Sequence, residues 1–245
     1  MKTVEVVDRS PMIDKLNDML ELDPARTAIV AIDMHRGHLD PEVATMPCSP
    51  AVCDSVIANT ERLLAFCRGN GLPVIHVVVV NRDIRGVGSE ASIRPFFQYM
   101  NRIKEETDRL APGRRTTVIG HNMEGSVQTE IMPRLYDESD YVIDYKKRQD
   151  CFIGTDLELL LQTVGADTVV IVGINTNTCV LNTAFTSANK NYKVVVVSDC
   201  VGTMYGDDLH EFALQNISRC LGWVLTIDEF EGKVSASLPE RVAAS

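Results

Sequence analysis

The sequence predicts an α/β chain, a three-layer α/β/α sandwich built on a mostly parallel, doubly wound sheet of about six strands. Two observations carry that expectation. Short apolar runs rich in β-branched residues recur along the 245 residues, each bounded by turn or charge signals. Between them lie longer stretches with helix start and stop signals, and strands that alternate with helices join through right-handed crossovers. The runs are continuous rather than alternating, as strands covered on both faces require.

Residues 1–26 read as an N-terminal arm with a short helix, and the first strand follows at Thr27–Asp33. Ser49 supplies a cap and Pro50 the first position of a helix running to Gly71. A second strand spans Pro73–Asn81. Residues 82–140 then make an excursion too long for an uninterrupted loop, so helices are expected in it, around Ile93–Leu110. Lying beyond a strand's carboxyl end, it is a lid or an oligomer contact. The third strand is Tyr141–Tyr145; Thr155 and Asp156 cap the next helix, and Gly165 stops it. The fourth strand is Thr168–Ile174, a helix starts near Cys179 and frays around Asn189–Asn191, and the fifth strand is Lys193–Asp199. A helix over Asp207–Leu221 and a sixth strand at Trp223–Ile227 complete one domain, residues 1–245.

Composition excludes several classes of function. Hydrophobic residues make up 45% and charged residues 24%, an ordinary globular balance. A net charge of -10 opposes nucleic acid and anionic membrane as partners, since both demand a basic footprint. No apolar run reaches membrane-spanning length and the start has no signal pattern, so a cytoplasmic protein is expected. Seven cysteines without a CxxC pair read as reduced thiols, mostly core. The segment DMHRGHLD after the first strand has one glycine, which argues against a phosphate-binding loop.

In open parallel sheets the functional crevice lies outside the carboxyl ends of the strands. The residues there are Asp33, Asn81–Asp83, Lys146–Arg148, Asn175–Cys179 and Asp199. A carboxylate, an ammonium and a thiol therefore reach one sheet edge from three strands. Cys179 stands where a strand and a turn lead into a helix, and a helix N-terminus with a nearby lysine predicts a thiolate at neutral pH. Asp33 is placed to exchange its proton and Lys146, or equally Lys147, to stabilise both charges. Blander readings compete: Lys146–Arg148 as a solvated charge run, Asp199 as a cap, Phe152 and Phe185 as core. Arg82, Arg85 and Arg94 suit a carboxylate or urea carbonyl but also a plain surface. His35 and His38 have metal-ligand spacing yet lack a partner cluster, and His121 stands alone in the excursion.

The segments AIVAIDM, YKKRQDCFIGTDLELLL and VVIVGINTNTCVLNTAFTSANKNYKVVVVSDC resemble the signature blocks of the isochorismatase-like cysteine hydrolases, over about Thr27 to Leu225. That family includes nicotinamidases, N-carbamoylsarcosine amidases, ureidoacrylate amidohydrolases and biuret hydrolases. The resemblance implies a catalytic set of Asp33, Lys146 and Cys179, selecting Lys146 because it lies six residues before Phe152. It also implies a cis peptide at Ile174–Asn175, with the Asn175 and Cys179 amides as oxyanion donors. His35 stands where the family often has Gln, which implies a different substrate or second-layer contact there; Phe152 and Arg82 are read from their own positions as further substrate contacts. No histidine cluster like that of the metal-dependent nicotinamidases is seen, so neither metal nor other cofactor is expected. The implied substrate is a small linear amide, preferably a ureido or carbamoyl compound such as biuret, handled by a homo-oligomer. Alternatives are a simple carboxamide such as nicotinamide or maleamate, enol-ether hydrolysis, or a non-catalytic binder of small ligands.

Overall fold

A computed structural model describes residues 7–86, 88–91, 94–103 and 120–238. Its six-stranded sheet comprises β1 Thr27–Ile32, β2 Val74–Val79, β3 Tyr141–Lys146, β4 Thr168–Ile174, β5 Lys193–Gly202 and β6 Trp223–Leu225. The spatial order is β3-β2-β1-β4-β5-β6, and every neighbouring pair is parallel. Every residue of β1 and β4 is buried because helices cover both faces. The strand order reverses between β1 and β4, which opens a crevice outside their carboxyl ends.

The longer helices among the described residues are α1 Ser10–Asp18, α2 Pro50–Gly69, α3 Pro95–Arg102, α4 Leu157–Thr163, α5 Leu181–Asn189, α6 Asp207–Cys220 and α7 Ile227–Ser237. On one face Leu63 and Leu64 of α2 and Phe230 and Val234 of α7 pack against Ile29, Val170 and Val195. On the other, Leu157 and Leu161 of α4, Ala184 of α5 and Ile217 of α6 pack against Val30, Ile171 and Val196. The expected sandwich is therefore observed. Ser49 caps α2 by accepting the Val52 amide, with Pro50 in the first turn.

Three local expectations need correction. The sixth strand stops at Leu225, because Thr226 and Glu229 form a capping box that starts α7. The fifth strand continues past Asp199 to Gly202 after a register shift against β4, so Asp199 is not at a strand end. Its Oδ2 instead accepts the Ile227 amide at 2.7 Å. The excursion holds a two-stranded ribbon, Asp83–Ile84 against Gly88–Ser89, and the helix α3. The rest of the helix expected at Ile93–Leu110 lies outside the described residues. No helix among the described residues is long and apolar enough to cross a membrane. None of the seven cysteines is in a disulfide; six are buried and Cys220 is exposed.

Candidate active site

β1 ends in Asp33, whose φ of 52° lies in the left-handed region that aspartate tolerates better than most residues. Its amide donates to Val77 O at 2.9 Å, and its Oδ1 accepts the Val79 amide at 2.7 Å. Beside it, Gly173 has φ 123°, and a Cβ there would stand 2.0 Å from Ile32 O. Only glycine permits this approach of β4 to β1. In β3 the pairing with β2 shifts register between Ile143 and Lys146, and Lys146 at the strand's end is fully buried. Its Nζ lies 2.7 Å from Asp33 Oδ2 and 3.4 Å from Cys179 Sγ. Lys147 points elsewhere, donating to Val80 O at 2.6 Å.

The peptide between Ile174 and Asn175 is cis. From Asn175 the chain enters a π-turn over Thr176–Val180 that runs directly into α5. The Thr178 and Val180 amides close on Asn175 O, at 3.1 and 3.2 Å, leaving the Asn175 and Cys179 amides outside those two bonds. The chain just after β5 fixes the Asn175 side chain, whose Oδ1 accepts the Met204 amide at 2.9 Å.

The thiolate expected at Cys179 is not what these surroundings favour. Burial pushes the thiol up to about 11, with Lys146 opposing and Asp33 adding to the rise. The lysine and the aspartate offset one another, so desolvation decides and the sulfur keeps its proton. Burial also works against the Lys146 charge, but Asp33 and the sulfur outweigh it and hold that pKa above the usual ammonium range.

A small cavity opens onto Asp33, Lys146, Asn175 and Cys179, and His38, His121, Arg94 and Phe97 share its wall. Three residues expected to touch substrate lie off it. His35 is fully buried behind Asp33, 3.9 Å from Oδ1, with the Asn122 amide nitrogen 2.7 Å from its Nε2. Phe152 stacks on Tyr192 with centroids 6.3 Å apart, and the Lys190 ammonium lies 5.6 Å from its ring centre. Arg82 is tied to Glu90 at 2.6 Å. Phe185 is 40% exposed on α5.

His121 is not alone. Its ring centroid lies 5.0 Å from that of His38, which in turn stacks on His35 at 4.7 Å. His38 Nδ1 contacts Met46 O at 3.0 Å, which makes it the protonated nitrogen and leaves Nε2 an acceptor. His121 Nδ1 meets Thr45 Oγ1 at 2.9 Å. Burial lowers the pKa of all three rings, so they stay neutral. Among the described residues no three His, Cys, Asp or Glu side chains converge as a metal ion would need. Sequence reasoning missed His121, Asn122 and Phe97. Gly120 and Gly125, both at positive φ, mark turns there but do not reveal a pairing across some eighty residues.

The isochorismatase domain model matches residues 27–229. The chain belongs to the isochorismatase family. Ureidoacrylate amidohydrolase RutB of Methylobacterium radiotolerans is 28% identical over 227 residues, 92% of this chain and 85% of that protein. Maleamate amidohydrolase of Pseudomonas putida is 26% identical over 208 residues, 82% of this chain and 83% of that one. A cysteine hydrolase from Pseudomonas syringae shares the fold, with a TM-score of 0.70 at 21% identity over 89% of this chain and 97% of its own.

Proposed function

We propose that this isochorismatase-family chain hydrolyses the C–N bond of a small linear amide, preferably a ureido or carbamoyl compound, through a thioester on Cys179. The observation that carries the reading is the continuous contact of Asp33, Lys146 and Cys179 in one cavity. Named amidohydrolases among the relatives support the reaction class, hydrolysis of carbon–nitrogen bonds other than peptide bonds.

Asp33 accepts the thiol proton as Sγ attacks the carbonyl carbon, and the Asn175 and Cys179 amides receive the oxyanion. The C–N bond then breaks, Asp33 returns the proton to the departing nitrogen, and ammonia or an amine leaves. Water adds to the thioester while giving a proton to Asp33; the acid departs and the sulfur recovers that proton. Lys146 stays charged throughout and stands 2.7 Å from the carboxylate that takes up and returns the proton. Because the resting thiol is protonated, proton transfer accompanies attack rather than preceding it.

Intact mass spectrometry during turnover should show an acyl adduct on Cys179, and Cys179→Ala should release no ammonia from any substrate. Full activity in that variant would overturn the assignment and leave an Asp33-dependent hydrolysis that needs no thiol. Exposed Phe96 and Tyr99 on α3 support reading the assembly as a homo-oligomer, which sedimentation measures directly.

A further inference from the structure

Among the described residues, two arginines at the cavity wall have no carboxylate partner. Arg94 Nη2 donates to Lys147 O at 2.5 Å, and Arg148 Nη1 donates to the same oxygen at 2.9 Å. Both residues line the cavity that holds Cys179. Arg62, Arg68, Arg82 and Arg134 each pair with a carboxylate. Among the described residues Arg94 and Arg148 do not. The carboxylate beside them, Glu90, is engaged by Arg82 at 2.6 Å and faces Lys147 at 3.7 Å.

The cost of this arrangement shows on Arg94. It is half-buried, its guanidinium carbon lies 5.7 Å from the Phe97 ring centre, and its Nε is buried without a partner. Burial first and Arg148 second disfavour its charge. A guanidinium does not escape by losing its proton, so the wall keeps an excess of positive charge in a chain whose net charge is -10. A partly desolvated cation without a counter-charge is unfavourable, and an anion brought by a ligand removes that penalty. Phe97 and the Lys147 carbonyl hold the guanidinium in place before any ligand arrives, which reduces the ordering cost of binding.

We propose that Arg94, backed by Arg148, binds a carboxylate carried by the substrate, so that this site prefers anionic amides and ureides to neutral ones. The assignment rests on the amidohydrolase reading above and narrows it. A neutral ureide such as biuret falls outside the preferred class, whereas an N-carbamoylated small acid falls inside it.

The test compares ammonia release from N-carbamoylglycine, 3-ureidopropionate and maleamate with release from biuret and nicotinamide. Wild-type enzyme should favour the anionic set in kcat/KM. Arg94→Gln should lower the anionic-to-neutral ratio by roughly 10- to 100-fold, mostly through KM, as expected for loss of a charge-assisted contact. Arg94→Lys should recover part of the ratio, and Arg134→Gln, paired with Glu61 away from the cavity, should keep it. A wild-type preference for the neutral set, or an unchanged ratio in Arg94→Gln, would overturn the proposal. Calorimetry on the Cys179→Ala protein provides a second readout, with the three anions binding at least tenfold more weakly once Arg94→Gln is added. If neither set releases ammonia and Cys179 forms no adduct, the hydrolase reading fails, and calorimetry alone still decides the Arg94 assignment. Should Arg94→Gln not fold, Arg148→Gln must lower the same ratio for the proposal to stand.

Discussion

At the scale of single residues, the site is a balance between burial and compensation. Lys146 is buried only because Asp33 and Cys179 surround its ammonium. Replacing it with Met leaves the Asp33 carboxylate buried without its cation, a change that costs about 3–5 kcal/mol in comparable sites. Urea unfolding at pH 7 should show a loss of that size together with loss of ammonia release. An unchanged midpoint would mean that the pair contributes nothing to stability. Cys179 gives a second expectation. With its thiol pushed up to about 11, alkylation by iodoacetamide, mapped to Cys179 by peptide mass, should accelerate steadily from pH 7 upward. A plateau below pH 8 would restore the thiolate that the helix-start position predicts. The sequence made Asp33, Lys146 and Cys179 legible, because strand-end positions and matching blocks converge on them. It did not reveal the protonation state, which depends on how completely the lysine and aspartate charges offset each other next to the sulfur.

At the scale of elements, two devices bring the strands into register near the site. Gly173 lets β4 approach Ile32, and Gly173→Ala places a methyl against that carbonyl. The positive φ alone costs about 1–3 kcal/mol for a non-glycine residue, and the clash adds to it. The variant should be poorly soluble or melt well below the wild type in circular dichroism; a wild-type melting curve would contradict the close approach. Farther from the site, Asp140 joins the start of β3 to α2 and β2, with Arg68 at 2.6 Å and His76 at 3.0 Å. Burial raises its pKa, but the hydrogen bonds from His76 and Arg68 outweigh burial and hold it at about 2. A carboxyl depressed in the folded state stabilises fully above its unfolded pKa of about 4 and loses that contribution as pH falls toward 2. Asp140→Asn should therefore flatten the decline of stability between pH 4 and pH 2, measured by urea unfolding across that range. Strands of this kind were readable from apolar runs. The end of β6 was not, because Trp223–Ile227 continues as an apolar run while the Thr226–Glu229 capping box redirects the backbone.

At the scale of the whole molecule, the sheet and the excursion contribute different things. The six strands, the two covered faces and the crevice outside the carboxyl ends follow from local patterns that survive in one dimension, whereas the spatial order of the strands does not. Nor does the cavity wall. His121 and Asn122 meet His38 and His35 across some eighty residues, and no periodicity records such a meeting. Arg82 and Arg94 look alike as sequence, and only the position of Glu90 separates a paired arginine from an unpaired one. Asp33, Lys146 and Cys179 stand at the ends of sheet strands, whereas Arg94, Phe97 and His121 come from the chain between β2 and β3. On the proposed reading the cleaving residues lie outside residues 82–140, whereas the carboxylate-binding wall is shared between that stretch and Arg148. On that reading a graft of residues 82–140 from a relative that acts on a neutral amide, made together with Arg148→Gln, should carry that protein's appetite with it and leave the cutting machinery in place.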